Sequence, residues 1–269
     1  MRLAAGIEYD GAPFYGWQRQ RQSPTVQEVV EVALSRVANH PVDTYCSGRT
    51  DTGVHGRCQV IHFDSAAERS ERDWVLGSNT ELHSAATVLW VRPVPDSFHA
   101  RFSAARRRYR YLILNRWVRP ALDRRRVAWV RYPLDVDRMH EAAQALLGKH
   151  DFSSFRARHC QAKSPVKIVH EVGVERHESE VRIDIEASAF VYHMVRNIAG
   201  SLIAVGRHQQ SVSWMAELLA ARDRTHAGMT APAHGLTFMH PSYPDYPDLP
   251  VQGDGAFPAR GGPAGSEKP

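Results

Sequence analysis

The chain switches between two hydrophobic periods, and the order of those switches limits what it can build. Arg2–Asp10 has period two, with Leu3, Ala5, Ile7 and Tyr9 on one face. After an aromatic, polar loop over 11–22 the period lengthens. Val26, Val29, Val30, Ala33, Leu34 and Val37 form a stripe at helical spacing, opened by Ser23-Pro24 or by Thr25 with Glu28. Val42–Cys46 and Gln59–Asp64 read as strands, the latter with Ile61 and Phe63 on one face and Val60 on the other. A helix over Glu71–Leu76 and a strand over Thr87–Val94 follow.

The second half repeats this loosely. Arg107–Asn115 alternates, with Tyr109, Tyr111 and Ile113 on one face and Leu112 and Leu114 on the other. Asp137–Leu147 is amphipathic, Lys167–Arg176 with Val181–Ala187 is a hairpin, and Met194–Val205 is a helix burying Met194, Ile198, Leu202 and Val205. Arg196 sits off that stripe, free to point into a cleft. A short helix at Trp214–Ala220 and a strand at Leu236–His240 close the pattern. Strand, helix, strand, strand, helix, strand is the order of a ferredoxin-like unit. The expected division is therefore a half over 1–105, a second half over 106–245, and a Gly-, Pro- and Ala-rich tail over 246–269 with little to bury, expected to be disordered.

No apolar run approaches the roughly 18 residues of a membrane span. The N-terminus meets acids too early for a secretory signal, and three cysteines (Cys46, Cys58, Cys160) without a CxxC argue against a disulfide framework or thiolate zinc site. A cytoplasmic protein is expected. Net charge is +5, which suits a polyanionic partner. Ten arginines and one acid, Asp123, lie between Arg101 and Arg126, interleaved with Phe102, Tyr109, Tyr111 and Trp117. Charge alone describes a solvated face equally well; the aromatics favour RNA, because rings and guanidinium planes both stack on bases.

Chemistry concentrates in Cys46-Ser47-Gly48-Arg49-Thr50-Asp51-Thr52-Gly53-Val54-His55-Gly56, a turn-rich stretch between two strands. A bland turn would have Asp51 accept backbone N–H bonds. Here Gly48 and Gly53 bracket a cation and an anion, and His55 follows. The histidines His55, His62, His99, His159 and His193 stand in no metal-ligand spacing and read as RNA-contacting or core residues, so no metal is expected.

Gly48-Arg49-Thr50-Asp51-Thr52-Gly53-Val54-His55 resembles the signature of the TruA-type tRNA pseudouridine synthases. So, in family order, do Gly6-Ile7-Glu8-Tyr9-Asp10-Gly11, Tyr15-Gly16-Trp17-Gln18, Phe98-His99-Ala100-Arg101-Phe102, Tyr109-Arg110-Tyr111 and His193-Met194-Val195-Arg196-Asn197, covering roughly Leu3 to Tyr243. The resemblance implies an α/β (α+β) fold of two ferredoxin-like halves in one continuous mixed, largely antiparallel sheet with a central RNA-binding cleft. It implies a homodimer whose two subunits build the tRNA site, isomerising uridine to pseudouridine at positions 38 to 40 of the anticodon stem-loop. No cofactor is implied: the glycosidic bond breaks and re-forms through another carbon, with no net redox change.

By the same resemblance Asp51 is the nucleophile, attacking ribose or ring, Arg196 its charge partner, and Tyr109 the active-site tyrosine. Tyr109 and Leu236 border the base. Arg49 offsets the extrusion of the target base, and Phe98, His99, Ala100, Arg101 and Phe102 with His159, Cys160, Gln161, Ala162 and Lys163 contact tRNA. One departure stands out. Where the family runs Gly-Leu, an aliphatic residue and then Val near Tyr, this chain has Gly235-Leu236, Phe238 and His240-Pro241, so the wall of the base pocket is expected to be built differently. A non-catalytic RNA-binding protein with the same fold and basic cleft is the rival reading; both bind tRNA in a salt-sensitive way.

Overall fold

The computed structural model describes residues 1–82, 84–158 and 160–251. The chain runs β1 (Arg2–Tyr9), α1 (Val26–Ala38), β2 (Tyr45–Cys46), β3 (His55–Asp64), α2 (Glu71–Glu81), β4 (Ala86–Pro93), β5 (Arg106–Asn115) and β6 (Ala128–Val130). It continues through α3 (Val136–Gln144), β7 (Gly148–Asp151), β8 (Val166–His177), β9 (Glu180–Ala187), α4 (Met194–Gly206), α5 (Trp214–Ala221) and β10 (Leu236–Ser242). One mixed, largely antiparallel sheet carries these strands in the order β4-β1-β3-β10-β5-β9-β8-β7, with β2 on β3 and β6 on β5.

The join at the middle of the sheet is parallel and short. Only Thr237 with His55 and Phe238 with Gly56 pair across β10 and β3. The last strand of the chain thus lies between the two halves, antiparallel to β5 on its other side, with Phe238 opposite Tyr109 and Leu236 opposite Tyr111.

Side-chain alternation is used on both faces of the first half. Leu3, Ala5, Ile7 and Tyr9 of β1 with Ile61 and Phe63 of β3 face a core filled by Val26, Val30 and Leu34 of α1 and by Trp17 and Trp74. Ala4 and Val60 face the other way, onto Trp90, Phe98, Ala100 and Tyr243. Burying each of the larger side chains contributes roughly 1.5–3 kcal/mol. Helix α1 starts where Thr25 accepts from the Glu28 N–H and stops at Asn39 in the left-handed region. A reciprocal capping box between Ser70 and Asp73 starts α2, which runs five residues beyond the expected Leu76. In the second half β5, β8, β9 and the stripe of α4 close a core with Phe152 and Phe155.

Three expectations change. Ala128–Val130 and Gly148–Asp151 are short strands that sequence patterning leaves as loop. Val42–Cys46 shrinks to the two residues of β2. The segment assigned to the tail begins as packed chain: Leu249 is buried, and Tyr246 and Val251 pack with it on the Phe98–Tyr243 core, because this face of the first half has no helix to cover it. The rest of that segment, 252–269, lies outside the described residues.

Candidate active site

The loop from Ser47 to Val54 is held by main-chain contacts that only glycine permits. Gly16 has φ +92°, and a Cβ there would stand 2.8 Å from the Thr50 carbonyl oxygen. On Gly11 it would lie 2.0 Å from that of Val54. The loop 11–17 therefore packs directly on the backbone around Asp51, fastened by Trp17 N–H to Thr50 O at 3.0 Å. Tyr9, buried beneath, shares a 2.8 Å hydrogen bond with the Thr50 hydroxyl. Gln59 donates to Gly48 O, and Arg107 donates to Ser47 O at 3.2 Å and to Ser188 O at 3.0 Å. Asp51 is presented from a braced support.

Asp51 meets α4 of the other half. Arg196 Nη1 stands 3.8 Å from Asp51 Oδ2 and His193 Nε2 stands 3.4 Å from the same oxygen. The guanidinium is fixed: its Nε donates to Ala231 O at 2.9 Å and its Nη1 lies 3.2 Å from His193 Nε2. His193 precedes the helix at φ 62°, a left-handed conformation that turns its ring over the first helical turn. Burial, opposed by the Arg196 charge, pushes the Asp51 carboxyl up to about 6. A contact of 3.8 Å is too long to reverse the burial effect, yet it leaves the group mostly ionised at neutral pH. Burial, with Arg196 and Arg224 nearby, drives His193 down to about 4, so its ring is neutral and offers Arg196 an acceptor.

Tyr109 is buried on β5, packed edge-to-face between Phe190 (4.9 Å) and Phe238 (5.1 Å). Burial, reinforced by the charges of Tyr9 and Asp51, raises its phenol strongly, so the hydroxyl keeps its proton. Phe238 is the departure seen in the sequence: wholly buried, it fills the space beneath Gly48, where a Cβ would meet its ring at 3.5 Å. Leu236 is buried beside Tyr111, whose hydroxyl donates to Pro232 O at 2.8 Å.

The residues assigned to tRNA contact divide. Arg49 is exposed and its Nη1 donates to Gln161 Oε1 at 3.4 Å, which brings two of them together. Gln161 and Lys163 are exposed, whereas Cys160 and Ala162 pack partly on the core and their carbonyls accept from Arg156. His159 lies outside the described residues. Phe98 and Ala100 are corrected: both are fully buried, and the Ala100 N–H and C=O are taken by His62 Nδ1 (3.2 Å) and Tyr243 OH (2.6 Å). They support their neighbours instead. Phe102 is 76% exposed, its ring 4.3 Å from His99 and 5.7 Å from the Arg101 guanidinium.

Sequence reasoning passed over His193 as a site residue, since nothing local marks a left-handed cap, and over Asn197. Buried in α4, Asn197 donates to Phe155 O at 2.7 Å and accepts from Thr230 (2.7 Å) and Arg224 (3.1 Å), holding the segment that anchors Arg196. Among the described residues no group of three or more His, Cys, Asp or Glu is placed to hold a metal ion, and no helix is long and apolar enough to cross a membrane.

A family model described as tRNA pseudouridine synthase matches residues 5–103 and 142–244, and the chain belongs to that family. Among individual relatives, the tRNA pseudouridine synthase A of Salmonella paratyphi B is 55% identical over 249 residues, 93% of this chain and 92% of that protein. The protein of the same name from Escherichia coli SMS-3-5 matches at the same identity and coverage. The solved Cbf5-Nop10-Gar1 complex is a remote neighbour, with TM-score 0.35 and 12% identity over 88% of this chain and 48% of that one, too distant to carry an argument.

Proposed function

We propose that this member of the tRNA pseudouridine synthase family isomerises uridine to pseudouridine in tRNA with Asp51 as the nucleophile. The observation that carries the reading is the convergence on Asp51 Oδ2 of Arg196 and His193, groups from the opposite half of the sheet. An Asp oxygen bonds to ribose C1′ or to ring C6, the N1–C1′ bond breaks, the ring turns, C5 bonds to C1′, and the Asp–carbon bond breaks again to return the free carboxylate. The C5 proton leaves and N1 gains one, so the sum is an isomerisation. Arg196 keeps the carboxylate ionised and aimed; Tyr109 packs on the base beside Leu236. Because the Tyr109 phenol stays protonated, its hydroxyl handles the C5 proton only as a relay, releasing its own as it accepts.

The target uridine lies at positions 38 to 40 in the anticodon arm, and a homodimer completes the tRNA surface, as the family pattern of motifs suggests. Extruding a stacked base costs a few kcal/mol. Arg49 offsets part of it by filling the gap or holding the displaced phosphate, with His99, Arg101, Phe102, Gln161 and Lys163 gripping the stem. The test is tritium release from C5-labelled uridine in tRNA, with pseudouridine mapping. Wild type releases tritium and Asp51→Asn does not. Turnover by Asp51→Asn overturns the nucleophile, and wild-type tRNA binding without release leaves the non-catalytic alternative.

A further inference from the structure

The ten arginines of 101–126 are not one population. Arg108 and Arg110 pair with Asp184, Arg108 also with Glu171, and Arg106 pairs with Glu186, while Arg107 is spent on backbone carbonyls. Beyond Asn115 this pairing stops. Arg116, Arg119, Arg124, Arg125, Arg126 and Arg131 are all exposed, and none lies within ion-pair distance of a carboxylate among the described residues. A surface built only for solubility mixes signs and pairs them, as β5 does with its neighbours; here six exposed cations outnumber the nearby acids Asp10 and Asp123, and none forms an ion pair among the described residues.

The two ends of this arginine-rich segment also carry aromatic rings set against guanidiniums. Trp117 is 75% exposed; the Arg131 guanidinium lies 5.8 Å from its ring and 4.6 Å from that of Tyr132, and the guanidinium of Arg207, the residue that caps α4, lies 4.5 Å from the Tyr132 ring. Trp117, Arg131, Tyr132 and Arg207 thus alternate ring and cation, drawn from the three segments that follow β5, β6 and α4. Leu122, 96% exposed, stands beside a cavity of about 390 Å³ lined by Arg124, Arg125 and Arg126 with Asp10 and Asp123. This surface is tied to the active loop: His55 Nε2 meets Arg125 O at 2.8 Å, and His55 is four residues from Asp51. Four extended residues span at most about 14 Å, less than the width of an RNA stem.

We propose that residues 116–132 with Arg207 form a second tRNA contact, which stacks an unpaired base on the Trp117–Arg131–Tyr132–Arg207 ladder and takes backbone phosphates on Arg124, Arg125 and Arg126. The inference rests on tRNA being the substrate. Unpaired cations match a polyphosphate, and flat rings alternating with guanidiniums match a base stacked out of a helix, whereas a protein partner would leave the cations facing one another.

The experiment measures binding of unmodified tRNA against salt by anisotropy, for wild type, a triple variant (Arg124→Gln, Arg125→Gln, Arg126→Gln) and a double variant (Trp117→Ala, Tyr132→Ala). All five side chains are exposed, and thermal melting checks that both variants fold. The triple variant should bind about tenfold more weakly, with the slope of log K on log salt reduced by about 2 to 3 units. The double variant should bind about tenfold more weakly with the slope unchanged. Single-turnover tritium release at saturating tRNA should stay at the wild-type rate in both. Wild-type affinity and slope in either variant overturn the proposal, as does a change confined to the protein's own sedimentation, which would assign the surface to a protein partner. If wild-type protein releases no tritium the catalytic reading fails, while the binding measurements still decide this surface.

Discussion

Arg196 stands 3.8 Å from Asp51, and the guanidinium is held there by the Ala231 carbonyl rather than by the carboxylate itself. The cation is thus positioned independently of its partner. It can orient the carboxylate without locking it into a bidentate pair, which leaves free the lone pairs that the proposed nucleophilic role needs.

The first prediction concerns pH. Burial pushes Asp51 up to about 6, and in the proposed mechanism only the ionised form attacks. The single-turnover rate should therefore fall about tenfold per pH unit below about 6 and level off above 7. Measuring tritium release from pH 4.5 to 8.5 checks this; a flat profile through 6 would remove Asp51 as the titrating group.

The same shift has a stability consequence. The folded carboxyl, at about 6, binds its proton more tightly than an unfolded one at 3.8, so stability is lost as pH rises from about 4 to about 6. The ceiling is about 3 kcal/mol, and the partial exposure of Asp51 reduces it to about 1–2 kcal/mol. Asp51→Asn should accordingly be more stable than wild type at pH 8 by about that much, with the difference vanishing near pH 4. Urea titrations at the two pH values measure it.

Gly16→Ala should be damaging although it lies outside the loop it supports. Its positive φ strains alanine, and the new Cβ meets the Thr50 carbonyl at 2.8 Å. Expected are a loss of about 1–3 kcal/mol in stability and a larger fall in kcat than in tRNA affinity, because Asp51 is displaced. Equal kcat would show that the loop tolerates the shift.

Arg49→Ala should distinguish folded from flexible substrates. Its guanidinium is exposed and its one hydrogen bond among the described residues goes to Gln161, so its loss costs the fold little. Turnover of intact tRNA should drop about tenfold or more, the rate equivalent of part of the base-extrusion cost, while a flexible single strand should lose far less. Equal losses on both would place Arg49 outside extrusion.

The elements whose side chains report their faces were legible: β1, β5, α1 and the stripe of α4 follow from spacing alone. β7 was not, because Gly148-Lys149-His150-Asp151 pairs through its backbone and has no apolar face to show. Likewise the three residues of β6 are too few to display a period. Asp51, Arg196 and Tyr109 could be singled out from motifs, whereas His193 depends on a left-handed turn and on the approach of another half. The buried state of Phe98 and Ala100 was hidden too, since it is created by Tyr243 and Tyr246, well over a hundred residues away. The charge run misled in a similar manner: the carboxylates that neutralise Arg106, Arg108 and Arg110 sit on β8 and β9.

The sheet's middle join has a further consequence. Asp51 hangs from one side of a two-rung parallel ladder, and Tyr109 and Arg196 belong to the other, with Arg107 clasping carbonyls from both. Neither portion alone brings Asp51 and Arg196 together. On the proposed reading, a half-made or partly opened chain would keep exposed arginines but lack the assembled carboxylate, so completion of folding would act as a safety catch on the chemistry.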